Sequence, residues 1–88
     1  MRFVTTEKFE KAYSRLSNQH AAAVDKAIAI LLENVRYPSL RVKQVMGTKN
    51  IMEASATKSL RITFKFVSQD VIQLRNVGTH EQVFRPPY

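Results

Sequence analysis

Apolar and polar positions alternate with two different periods along this chain, and the change falls at one proline. Before Pro38 the spacing is helical. Phe9, Ala12, Tyr13 and Leu16 recur at i, i+3, i+4 and i+7, which places them on one face of a helix. Thr5 or Thr6 stands where a helix cap belongs, and Glu7 lies in the first turn, where the helix dipole favours an acid. Ser17 and Asn18 end that helix and cap a second. The second helix shows Val24, Ala27, Ile28, Leu31, Leu32 and Val35 on one stripe and runs to about Arg36. Pro38 bars its continuation. Two helices with so short a joint form an antiparallel hairpin. Arg2–Thr5, ahead of them, is short and β-prone, and reads as an opening strand.

Beyond Pro38 the period is two. Leu40, Arg41, Val42 and Lys43 alternate apolar with basic, the pattern of a half-buried strand. Gly47–Asn50 reads as a turn, Ile51–Ala56 as a strand and Thr57–Ser59 as a connection. Leu60–Phe66 is the clearest strand, with apolar even positions and polar odd ones. Ser68–Asp70 then turns the chain into Val71–Asn76. A three-residue turn pairs Phe66 with Ile72 and Phe64 with Leu74, which keeps the large apolar groups on one face. The order β-α-α-β-β-β-β predicts an α+β fold, a two-helix hairpin on one face of a mainly antiparallel sheet of four to five strands. Arg61, Lys65 and Arg75 share the other face, which this pattern leaves to solvent or a ligand.

Composition narrows the function classes. Eighty-eight residues make one domain, spanning 1–88, and 44% hydrophobic content suits a globular fold. With no cysteine there is no disulfide framework and no thiol chemistry. His20 and His80 are the two histidines, too few for a histidine-rich metal cage. The longest apolar run, Ala27–Leu32, is far short of the roughly 20 residues of a membrane span. Without that or a signal-like start, a cytoplasmic location with no membrane contact is expected. The net charge is +7, and it is uneven. Residues 1–36 carry six basic and four acidic side chains, and residues 37–88 carry eight and three, so +5 of the excess lies in the sheet half. Such an excess suits a polyanion or an acidic protein, and equally a merely solvated surface.

Three groups of residues can carry chemistry. The first is the basic face of Arg41, Lys43, Arg61, Lys65 and Arg75, either a solvated sheet surface or a phosphate cradle, since guanidinium matches phosphate oxygens in a bidentate way. The second is Val77–Phe84. Gly78 permits a sharp exit from the last strand and puts His80 at the sheet's end, near Arg61. There His80 serves as a general acid or base, or only satisfies local hydrogen bonds. Phe84 is a core residue or a platform on which a base stacks. The third is Glu53, a salt-bridge partner or a general base. His20 reads as a surface residue.

The segments Leu60–Phe66, Val71–Gly78 and Thr79-His80, with the tail Gly78–Phe84, resemble the closing strands and the "VG-x-H" ending of the RelE/ParE superfamily of type II toxins, in its RelE/YafQ-like branch. The helical hairpin and Leu40–Gly47 fit the same template. The resemblance implies a metal-independent, cofactor-free endoribonuclease (an mRNA interferase) that cuts messenger RNA on the ribosome. In that reaction the 2′-hydroxyl attacks the adjacent phosphate and the 5′-oxygen leaves. By position, His80 matches the catalytic histidine, Arg61 the arginine holding the scissile phosphate and Phe84 the closing aromatic. The strand Ile51–Ala56 has none of RelE's lysines, so Glu53 is expected to pair with His80 in acid–base work. Lys43, Lys49, Lys65 and Arg75 are expected to bind the substrate. The resemblance also implies a cognate antitoxin that neutralises the toxin, with operator DNA touched only through that complex. A ParE-like toxin acting on DNA gyrase without nuclease chemistry, or an inactive binding relative, is the alternative.

Overall fold

A computed structural model describes residues 1–88. The elements are β1 (Arg2–Thr5), α1 (Glu7–Ser14), α2 (Asn18–Glu33), a 3-10 turn (Pro38–Leu40), β2 (Lys43–Gln44), β3 (Met52–Ser55), β4 (Leu60–Ser68), β5 (Val71–Thr79) and α3 (His80–Val83). The five strands form one sheet in the order β1-β5-β4-β3-β2. Only the β1–β5 pair is parallel; the other three are antiparallel. The α+β architecture expected from the two periods is therefore the one adopted.

The hairpin forms where its caps are. Thr6 accepts from the Phe9 amide at 3.1 Å, and Ser17 accepts from the His20 amide at 3.1 Å. Tyr13 ties the two helices together by donating its hydroxyl to Asp25 at 2.6 Å. The carboxylate beside it, chiefly through that bond, raises the Tyr13 phenol above its ordinary value. His20 is exposed, as expected. Phe9, Val24, Ala27, Ile28 and Leu31 bury themselves against Leu60, Ile62, Phe64, Ile72, Leu74 and Val77 of the sheet. α2 stops three residues before the expected Arg36. Asn34 takes an extended conformation, and its side-chain oxygen accepts from the Arg36 amide at 3.0 Å, so the amide side chain has competed with the helix ladder.

The strand expected over Leu40–Lys43 is a correction. Pro38 opens a 3-10 turn that buries Leu40, and Arg41 follows with a left-handed φ of 48°. An extended run cannot pass through such a residue. Only Lys43 and Gln44 pair, opposite Glu53 and Met52. The loop after them turns at Gly47, whose φ of 83° is costly for a side chain.

β4 and β5 pair Phe66 with Ile72 and Phe64 with Leu74 as expected, but the turn is Gln69-Asp70 rather than three residues, because Ser68 stays in β4 opposite Val71 and the register shifts at Val67. Past that point a bulge leaves Arg75 without a partner, so Thr63 faces Asn76 and Ile62 faces Val77. The bulge moves the apolar phase of β5 from even to odd positions. That shift lets the strand run on to Thr79 with Val77 still in the core.

The face away from the hairpin is not the bare cationic surface that alternation predicts. α3 and the tail fold over it. Val83 and Val45 are 1% and 2% exposed yet lie outside the main core cluster. They make a second, thinner apolar layer. Glu53 and Thr63, a cross-strand pair on β3 and β4, are buried with them.

Candidate functional site

The site is built by the chain's reversal at the end of β5. Gly78 stands opposite Arg61 in the ladder. A Cβ at this position would lie 2.5 Å from Gln82 Oε1, so the close approach of the next turn requires glycine. Thr79 and Gln82 then form a reciprocal capping box: the Thr79 amide donates to Gln82 Oε1 at 2.8 Å, and the Gln82 amide donates to Thr79 Oγ1 at 3.3 Å. The cap fixes the orientation of α3. His80 is its first residue, and the Phe84 amide donates to the His80 carbonyl at 3.2 Å. The two rings meet edge-on, with centroids 4.4 Å apart.

His80 and Phe84 look into an open cleft of about 370 Å³ whose walls include Lys43, Val45, Glu53 and Tyr88. An imidazole, a carboxylate, an ammonium and aromatic rings thus line one space. Glu53 forms the floor and is 8% exposed. Its Oε1 lies 4.0 Å from Arg61 Nε. Lys43 stands opposite Glu53 in the ladder.

Arg61 is anchored to the backbone of the preceding loop. Its Nη1 donates to three carbonyls, of Thr57 at 2.9 Å, Lys58 at 3.0 Å and Leu60 at 3.2 Å. The guanidinium lines a separate cleft with Arg41 and Lys58. His80 and Arg61 line different clefts, and Glu53, which lines the first, lies 4.0 Å from Arg61 Nε. Arg75 donates to the Gln73 side chain and, through Nη2 at 2.6 Å, to the Tyr88 carbonyl. Its Nε is buried without a partner, as is the Thr63 hydroxyl. Lys65 is half-buried opposite Gln73. Lys49 is exposed on the loop after Gly47, outside the His80 cleft. Tyr88 is a lining residue that sequence reasoning missed, and no local pattern marks it. The Thr79–Gln82 capping box was legible as a Thr-x-x-Gln signature.

No protein-family model and no curated protein matches the sequence. Solved structures do match. YafQ from Escherichia coli strain BL21(DE3) superposes with a TM-score of 0.80 at 14% identity, over 94% of this chain and 97% of that one. A YoeB/ParE toxin from Agrobacterium tumefaciens gives 0.76 at 13% identity, over 91% and 99%. RelE in a RelB–RelE antitoxin–toxin complex from Methanococcus jannaschii gives 0.69 at 15%, over 94% and 96%. The chain has the RelE/ParE toxin fold. Within that fold, α3 and the tail of this chain supply His80, Phe84 and Tyr88, and the β2–β3 edge supplies Lys43 and Glu53. No helix is long and apolar enough to cross a membrane.

Proposed function

We propose that this chain is the toxin of a type II toxin–antitoxin pair and an endoribonuclease that cleaves messenger RNA on the ribosome. The observation that carries the reading is the shared cleft of Lys43, Glu53, His80 and Phe84. Cleavage by 2′-hydroxyl attack needs one group to take a proton, one to give a proton and a cation for the extra charge on phosphorus. Glu53 takes the 2′-hydroxyl proton as the oxygen attacks. His80 gives a proton to the departing 5′-oxygen, and a 2′,3′-cyclic phosphate remains. Lys43 faces the developing negative charge. Phe84 braces the imidazole and offers its free face to a base. Arg61 restrains Glu53 through the 4.0 Å contact rather than holding the phosphate itself. Lys49, Lys65 and Arg75 add positive potential along the path of the RNA.

An acidic antitoxin that folds on binding fits the +5 charge of residues 37–88. Structural neighbours solved as toxin–antitoxin complexes support that partner. Operator DNA is then reached through the complex, and the toxin works in the cytoplasm. A second reading, a gyrase-directed toxin without nuclease chemistry, is favoured by one observation: Nη1 of Arg61 is engaged by backbone carbonyls.

Mapping RNA ends after addition of purified protein, with and without ribosomes, separates the two. The nuclease reading expects new ends on ribosome-bound messages, and a loss of roughly 10²–10⁴ in rate for His80→Ala. Growth arrest with intact messages and a DNA-damage response would replace it with the gyrase reading.

A further inference from the structure

A second cleft, also of about 370 Å³, lies on the opposite flank of α3 from His80, between α3 and α1. Its charged lining is Lys8, Lys11 and Arg15, with the amides of Asn76 and Gln82 beside them. The three cations recur at i, i+3 and i+7, so they share one helix face. No acid lines the cleft. Of the two carboxylates of α1, Glu10 accepts from Thr5 Oγ1 at 2.5 Å, and Glu7 pairs at 3.1 Å with Lys11 of the cleft in an exposed contact that is worth little and easily exchanged. Lys8 donates to the Pro87 carbonyl at 2.8 Å, which leaves its ammonium two further donors.

The two clefts share α3 as a wall. His80 and Phe84 stand one turn apart on one side of it, and Gln82 stands on the other. A helix with its side chains is about 10 Å across, and one nucleic-acid strand covers that in about three nucleotides at ~3.4 Å each. We propose that the α1 cleft is a second binding site for the phosphate backbone of a single-stranded RNA whose neighbouring nucleotides occupy the His80 cleft. The inference rests on the RNA-directed reading above and adds a site for chain beyond the scissile bond.

Salt dependence tests it without any cleavage. A 2′-O-methylated RNA dodecamer has no attacking hydroxyl, so its binding can be titrated across a range of salt concentrations. Each phosphate contact contributes about 0.7 to the slope of log affinity against log salt for a single strand. Replacing Lys8, Lys11 and Arg15 by Gln is expected to reduce that slope by about 2. The pair Lys11→Gln and Arg15→Gln leaves the Lys8 contact with the tail intact and adds no acid to the end of α1, and it is expected to reduce the slope by about 1.4. An unchanged slope with normal wild-type binding would overturn this inference alone. Failure of the wild type to bind the dodecamer would also overturn this inference, whereas the RNA-directed reading falls only if ribosome-bound messages stay intact. Equal competition by polyglutamate of matched charge would overturn the inference as well, and would assign the cleft to an acidic protein segment.

Discussion

The two faces of the sheet are made in different ways. The hairpin face is filled by large apolar side chains on regular periods, and Ile62, Phe64, Ile72 and Leu74 are fully buried there. The other face holds a buried carboxylate, a buried hydroxyl with no partner and a thin plug of Val45 and Val83. The first face needs only hydrophobic burial to form. The second keeps polar groups out of water at a cost in stability, which proteins commonly carry where chemistry occurs.

Adjacent residues on β4 give the sharpest contrast. Phe64→Ala is expected to cost about 3–5 kcal/mol, because it removes a ring from a site with no room to relax. Thr63→Val, one position away on the other face, removes a hydroxyl that has no partner and is expected to be neutral or stabilising. Urea unfolding of the two variants measures both. Equal destabilisation would erase the distinction between the faces. Val83→Ala removes two methyl groups from the thin layer and is expected to cost about 1.6 kcal/mol. Its mark should be local: faster amide exchange in α3, with the hairpin unaffected. Gly78→Ala pushes a Cβ against Gln82 and breaks the capping box, worth about 1 kcal/mol. Cleavage should fall further than that stability change explains, because the box orients His80.

The fold was legible because it follows from periods. The stripe of Phe9 to Leu16, the alternation of Leu60 to Phe66 and the breaker at Pro38 each point to one element, and keeping the large apolar groups on one face set the pairing of Phe66 with Ile72 and Phe64 with Leu74. What was not legible depended on single residues. The left-handed Arg41 cuts β2 short, and Asn34 ends α2 by bonding the backbone. The bulge at Arg75 changes which face β5 presents after Leu74. The site was legible in part. His80, Phe84, Glu53 and Lys43 line one cleft, but Arg61 turns to the carbonyls of the Thr57–Leu60 loop. The direction of a long side chain is decided by acceptors elsewhere in the fold, which strand alternation does not encode.

The smallest expected effect lies on the hairpin side. Because the folded-state phenol of Tyr13 is raised, its contribution to stability is present below its unfolded value of about 10 and is lost as pH rises through the folded one. Tyr13→Phe should flatten the alkaline limb of a melting-temperature profile and leave cleavage unchanged at neutral pH. Loss of cleavage in this variant would link the two faces that the structure separates.

A double-mutant cycle on cleavage of ribosome-bound message tests the central claim most directly, with wild type, His80→Ala, Glu53→Gln and the double variant. If the two side chains act on one phosphodiester, the double variant should be no slower than the worse single variant, because groups acting as a unit are not additive. Two losses that multiply, or wild-type cleavage in either single variant, would contradict a shared site in this cleft.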